Sequence, residues 1–273
     1  MDEITAEYSV AELVEPAQLK ARVKVSVACK TDLGRVRENN EDKFEYYIPE
    51  DDAMLATKGM IFVVCDGMGG HAAGQIASEL ACKTFIDVYL NHPSSSPEAA
   101  LEAGVVAANR FVFDCGTVVP SRRGMGTTLT AIVLLQGDCY SVQVGDSRAY
   151  RLRDGELQQI TAEHTWIDEA IRAGWVTEEE AASHPNRHML LRAIGVDQTV
   201  QCDVVKHDLQ TGDIFALCSD GLTNHVSDSA LLATLSSNGL SEAVWKLVGA
   251  ALMDGGSDNC TVVCVRVDAI DAA

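Results

Sequence analysis

The chain has 273 residues, 47% of them hydrophobic, and its 40 acidic against 21 basic side chains leave a net charge of −19. That supplies a full core, and so negative a surface argues against nucleic acid or an anionic membrane as partner. The nine cysteines sit mostly in apolar runs and form no Cys-x-x-Cys pair, which argues against a zinc or dithiol site and fits a reducing cytoplasm.

Residues 1–22 are acidic, weakly patterned and contain Pro16, and read as a flexible or loosely docked extension; MDEITAEYSV lacks the apolar core of a leader segment. No Pro/Ser-rich linker or fixed-period repeat divides the rest, so one domain is expected over 23–273. Alternation predicts a strand from Val23 to Lys30 and a second over 36–48, with a polar hairpin loop at 49–59. Ile61–Cys65 is a continuous apolar run, expected as a strand buried on both faces. Ala73, Ile76, Ala77, Leu80, Ala81, Phe85 and Val88 recur at helical spacing, predicting a helix over 72–90. Leu101, Val105, Ala108 and Val112 predict another over 98–113.

Strands follow at 127–135, 140–144 and 147–153, the last closing at the Asp154-Gly155 turn, with a return strand at 156–160. Residues 163–190 are polar with short helical pieces and read as a surface subdomain. Strands at 202–206 and 213–218, helices at 227–236 and 240–253, and a strand at 260–267 complete the chain. Hairpin-linked strands with paired helices indicate an α+β fold of antiparallel sheets and not a doubly wound one. No stretch approaches 18 apolar residues, so no transmembrane helix is expected.

Four segments read as one design, an apolar strand ending in Asp followed by Gly or another polar residue: Asn40-Glu-Asp42, Val64-Cys-Asp66-Gly67, Cys218-Ser-Asp220-Gly221 and Gly256-Ser-Asp258-Asn259. Any one Asp-Gly is most simply a turn. Four carboxylates converging on one volume need cations to stay ionised, and two divalent ions balance four Asp. An all-oxygen donor set selects Mg²⁺ or Mn²⁺ over zinc. Two such ions can activate a water and clamp a phosphoryl oxygen, giving phosphate-ester hydrolysis with no covalent intermediate. Arg37, five residues before Asp42 and expected on the same strand, could hold the phosphate through two parallel hydrogen bonds.

Rival readings are a two-metal nuclease, which conflicts with the negative charge and the missing basic stripe, and a catalytically silent binding or regulatory module. Cys29…Arg35 and Cys260…Arg266 match the spacing of cysteine phosphatases by chance. The first encloses Asp32, which would repel phosphate, and the second lies in an apolar strand. His184 and His188 are four apart, but Pro185 between them argues against a zinc helix.

Together the segments TDLGRVRENNED (31–42), VVCDGMGGHAAGQIAS (63–78), GMGTTLTAIVL (124–134), VGDSRAYRLRDGELQQIT (144–161), LLRAIGV (190–196), GDIFALCSDGLT (212–223) and SDNCTVVCVRV (257–267) resemble the bacterial branch of the protein phosphatase 2C family, the metal-dependent serine/threonine phosphatases. The resemblance spans about 24–267, in the family's order. It implies an α/β/β/α sandwich of two mainly antiparallel sheets flanked by helix pairs, with 163–190 as the flap. It implies that Asp42 and Asp66 are the central ligands of an Mn²⁺ or Mg²⁺ pair, with Asp66 bridging and Gly67 giving its carbonyl. Asp220 and Asp258 would complete one ion, and Glu41 would act through water. Asp146 would join Asp220 at a third, weaker ion, and Arg37 would bind the substrate phosphate.

The resemblance further implies phosphorylated proteins as substrates, a serine/threonine kinase as functional counterpart, and a cytoplasmic location; no large apolar patch argues for assembly, so a monomer is expected. Met68 stands where animal members carry a histidine proposed as general acid. His71 reads first as a loop or helix-start residue and only secondly as a proton donor. The loop 49–59 looks longer than in compact bacterial members, and 1–22 lies outside the match.

Overall fold

A computed structural model describes residues 18–70, 72–181 and 184–273. Most of the predicted extension, residues 1–17, and His71 lie outside the described residues. Among the described residues, one sheet has the order β1 (Ala21–Asp32), β11 (Cys260–Ala272), β10 (Ile214–Cys218), β7 (Arg148–Arg153), β8 (Glu156–Gln159). The other has the order β2 (Asp42–Tyr47), β3 (Met60–Met68), β5 (Leu129–Leu135), β6 (Asp138–Val144), β9 (Asp203–Asp208), with the two-residue β4 (Gly126–Thr127) against the end of β3. Every pairing is antiparallel.

Successive side chains of a strand point to opposite faces, and here both faces are covered. Phe62 and Val64 point inward with Ile132 and Leu134 and meet Phe215, Leu217, Val263 and Val265 of the other sheet. Ile61, Val63 and Cys65 point outward onto Phe85, Leu101 and Val105, which belong to α2 (Ala72–Asn91) and α3 (Pro97–Val118). On the opposite side, Ala216, Cys218, Val262 and Cys264 pack on Leu231, Leu235, Val244 and Leu247, carried by α7 (Asp228–Ser237) and α8 (Leu240–Met253). This is the expected α/β/β/α sandwich, and burial on both faces is why IFVVC carries no alternation. Fully burying a side chain such as Phe62 or Phe215 contributes about 1.5–3 kcal/mol.

Several expectations need correction. The second strand begins only at Asp42, because residues 33–41 are held as a loop by a buried side chain, Asn259, whose amide donates to the carbonyls of Leu33 (2.8 Å) and Asn39 (3.0 Å). Arg37 is therefore on that loop and not on the strand of Asp42. The predicted hairpin loop 49–59 contains a helix, α1 (Asp52–Thr57): Asp51 caps it by accepting from the Met54 N–H at 2.8 Å, and Leu55 and Ala56 are buried. β1 begins at Ala21, two residues inside the predicted extension. The polar segment 163–190 has more core face than expected, since its helix α4 (Trp166–Arg172) buries Ile167 and Ala170; α5 (Glu178–Ala181) follows, and a four-residue helix, α6 (Asp220–Thr223), follows β10.

The shared strand-end design also holds for only half of the acids. Asp66 lies near the end of β3 and Asp220 follows β10, but Asp42 starts β2 and Asp258 precedes β11. Antiparallel pairing requires this, because the end of one strand lies beside the start of its neighbour. No helix among the described residues is long and apolar enough to cross a membrane.

Candidate metal centre

The two sheets bring their acids to one rim by the same device. In one, Asp42 at the start of β2 pairs with Asp66 at the end of β3. In the other, Asp220 follows β10 and Asp258 precedes its neighbour β11. Asp146 lies in the turn from β6 to β7, where the chain crosses from one sheet to the other. Arg37, Glu41, Asp66, Gly67, Asp146, Asp220 and Asp258 line one cleft of about 510 Å³. Asp42 is 6% exposed.

The main chain of Asp66 is pinned on both sides. Its N–H donates to Thr128 Oγ1 at 2.9 Å, and its carbonyl accepts from the Thr128 N–H and the Thr127 hydroxyl, each at 2.8 Å. The Thr128 hydroxyl also meets Ser147 Oγ at 2.8 Å. Gly67 donates to the Glu41 carbonyl at 3.1 Å. A Cβ on Gly67 would lie 2.2 Å from the Gly74 carbonyl and 2.6 Å from that of Glu41, so only glycine lets these backbones meet. Ser78 Oγ donates to the same Glu41 carbonyl at 2.6 Å, and Asn259 Oδ1 accepts from the Glu41 N–H at 2.7 Å. Arg37, exposed at the rim, donates to Asp258 Oδ2 at 2.6 Å, and that contact raises its pKa further.

The centre has an unresolved excess of negative charge. Burial lifts the Asp42 carboxyl to about 7, opposed by the Ser219 hydroxyl and aided by Asp220 and Asp258. Burial, then repulsion from Asp42, Asp220, Asp146 and Asp258, holds Asp66 well above the usual carboxylate range. Burial and Asp220 lift Asp146 to about 7, and burial and Asp258 raise Asp220. Asp42 Oδ2 accepts from Ser219 Oγ at 2.6 Å, whereas its Oδ1 is buried without a hydrogen-bond partner.

Among the described residues no three His, Cys, Asp or Glu side chains form a ready-made ion cage. The orphaned Oδ1, the mutually repelling carboxyls and the all-oxygen donors nevertheless fit hard divalent cations, which would neutralise them and complete the geometry.

All eight residues singled out in the sequence thus belong to this rim or its floor. Sequence reasoning missed what holds them: Ser219 beneath Asp42, Thr128 and Ser147 around Asp66, and Asn259 behind Glu41. Each is a polar residue at 4% exposure or less, and three directly flank a predicted acid in the chain, Ser147 after Asp146, Ser219 before Asp220 and Asn259 after Asp258. A buried polar residue beside a candidate ligand was the available signal. His188 and Asn224 also line the cleft, Asn224 donating to Asp220 Oδ2 at 3.1 Å.

Residues 38–251 match the family model described as Protein phosphatase 2C. The serine/threonine protein phosphatase PstP of Mycobacterium tuberculosis is 38% identical over 240 residues, which cover 88% of this chain and 44% of the relative. The chain thus spans less than half the length of that relative. The serine/threonine phosphatase stp of Listeria monocytogenes is 36% identical over 244 residues, covering 88% of this chain and 94% of the relative. The crystal structure of the PstP catalytic domain in complex with two manganese ions aligns at a TM-score of 0.77 and 35% identity, over 90% of this chain and 99% of that one.

Proposed function

The chain belongs to the protein phosphatase 2C family, and on that premise we propose that it is a metal-dependent phosphatase that hydrolyses phosphoserine and phosphothreonine esters in proteins. Asp42, Asp66, the Gly67 carbonyl, Asp220 and Asp258 would hold two Mn²⁺ or Mg²⁺ ions, with Glu41 acting through water and Asp146 joining Asp220 at a third. When bound, such ions supply an acidified water for in-line attack and stabilise charge on the phosphoryl oxygens.

The observation that carries this reading is Asp42: a carboxyl lifted to about 7, with one oxygen satisfied by Ser219 and the other buried and unpartnered. A protein keeps such an oxygen where something binds it. The relative named above with two manganese ions supports the same choice. The chain's own groups do the remaining work. Arg37, exposed at the rim, takes the substrate phosphoryl oxygens through its planar fork. The pinned backbone of Asp66 keeps its carboxylate aimed into the cleft, and the Ser219 hydroxyl orients Asp42.

Met68 follows Gly67 and carries no transferable proton, so the proton for the leaving alkoxide must come from another group. Phosphorylated proteins are the substrates this reading implies, with a serine/threonine kinase as counterpart. A monomer in the cytoplasm completes it, and nine unpaired cysteines support a reducing compartment.

Hydrolysis of p-nitrophenyl phosphate and of a phosphothreonine peptide, with and without Mn²⁺, tests the proposal. Turnover of both, abolished by EDTA and restored by Mn²⁺, is expected. Turnover that survives EDTA overturns the metal mechanism, and no turnover with any divalent ion leaves a silent binding module.

A further inference from the structure

We infer that His164 is a positioning residue: it grips Gly145 and thereby sets where Asp146 stands in the cleft. The inference rests on the proposed role of Asp146 as a ligand of the third ion.

Asp146 sits between two clamped neighbours. On one side, Ser147 is held by Thr128 through their hydroxyls, and its carbonyl accepts from Gln143 Nε2 at 2.7 Å and Thr130 Oγ1 at 3.1 Å. On the other side, Gly145 has φ +103°, and a Cβ there would lie 2.6 Å from the Thr128 methyl, so the turn can be made only with glycine. Its carbonyl accepts from Gln143 Nε2 at 2.9 Å, and His164 binds its main chain reciprocally. The His164 N–H donates to the Gly145 carbonyl at 2.8 Å, and the Gly145 N–H donates to His164 Nδ1 at 3.3 Å. The donor Gly145 N–H is buried, so losing the imidazole would orphan it inside the protein.

The ring is fixed in turn. With Nδ1 accepting, the proton of the neutral imidazole is on Nε2, which faces Asp203 Oδ2 at 3.1 Å. Arg192 Nη1 donates to the other carboxylate oxygen of Asp203 at 2.9 Å and lies 3.2 Å from the same Nε2, so the guanidinium and the carboxylate together enclose that ring nitrogen. Burial of His164, 5% exposed, favours that neutral form. Three separate parts of the chain thus meet at one imidazole: the turn carrying Asp146, the first residue of β9, and the base of the 163–190 segment. That base is itself closed, because Leu191 N–H donates to the His164 carbonyl and Trp166 N–H to the Met189 carbonyl, each at 2.8 Å. Both ring nitrogens are thus satisfied, and the partner of Nδ1 is the main chain of the residue directly before Asp146.

The test compares His164→Phe, which removes both ring nitrogens, with His164→Asn, whose Oδ1 can still accept from Gly145. Mn²⁺ binding is measured by calorimetry, and amide exchange across 143–148 is measured in the metal-free protein. Loss of a group that orients a ligand weakens metal affinity by about 10–100-fold. His164→Phe is therefore expected to weaken only the weakest class of Mn²⁺ site by that factor, and to speed exchange at Gly145 and Asp146. His164→Asn should restore most of both, and Asp146→Ala should lose the weak site alone, with His164→Phe adding nothing to it.

Unchanged exchange and unchanged weak-site affinity in His164→Phe overturn the inference. So does an equal loss at all Mn²⁺ sites, which would mark a merely structural role. If His164→Phe does not fold, Asp203→Asn takes its place, with the same exchange change expected at smaller amplitude and its absence counting against the inference. Should Asp146→Ala leave the weak site intact, the third-ion reading fails by itself, and exchange at Gly145 still decides the role of His164.

Discussion

Asp42 and Asp66 stand directly opposite one another across the β2–β3 pair, two carboxyls on a single rung of an antiparallel ladder. Facing residues of such a pair have Cβ atoms about 4.5–5.5 Å apart, and like charges there are destabilising. No fold gains from that rung by itself, so the pair fits a place where stability is set against the proposed ion binding.

Replacing Asp66 with Asn should separate the two effects. Turnover should fall at least about 100-fold, as expected for a group acting on the reacting centre. The metal-free protein should instead become more heat-stable, by up to about 1 kcal/mol of relieved repulsion. Melting curves in EDTA and in Mn²⁺ check this, and a variant less stable than the parent in EDTA would refute it.

The raised carboxyls also fix a pH dependence. An Asp has a pKa of about 3.9 when unfolded, and folding lifts Asp42 and Asp146 to about 7. The folded state holds these protons more tightly, so the stability they contribute is fully present below about pH 4 and is lost as pH rises through about 7. In EDTA, their share of the melting temperature should fall across that window. Mn²⁺ competes with the protons, so its stabilising effect should grow over the same range. Comparing the parent with Asp42→Asn at each pH isolates the Asp42 contribution.

Arg37→Ala should act on substrate and leave the fold alone. Its ion pair with Asp258 at 2.6 Å has side chains 52% and 28% exposed, and such pairs contribute about 0–1 kcal/mol. Loss of charge-assisted bonds to phosphate, about 1.5 kcal/mol, should raise KM about tenfold. Steady-state kinetics with a phosphopeptide reads this out, and an equal loss in kcat would move Arg37 into the transition state.

Asn259→Ala should unfold the rim from behind. The side chain, 4% exposed, accepts from Glu41 and donates to Leu33 and Asn39. Stranding these part-buried groups should cost about 1–3 kcal/mol for each one that water cannot reach. Urea unfolding measures it, and a midpoint within error of the parent would show that the 33–41 loop is held by something else.

Much of this protein is legible along the chain. The four aspartates Asp42, Asp66, Asp220 and Asp258 stand at the edges of apolar runs and the paired helices and antiparallel strands follow from periodicity, whereas the sandwich and the roles of Glu41, Gly67 and Asp146 came from the resemblance to the family. Periodicity reports which face of an element is apolar, and an acid at the edge of an apolar run reports a chemically unusual rim. It does not report which strand lies beside which, in what register, or what fills the space behind.

Tertiary structure decided those points: that Asp42 begins its strand where Asp66 ends its own, that Arg37 rides on a loop, and that 49–59 folds into α1. It alone brought Ser219 to Asp42 across 177 residues and Asn259 to Glu41 across 218. The physical reason is that a buried polar group must find a partner wherever packing has left one, and that partner is chosen by sheet register and not by neighbours in the chain.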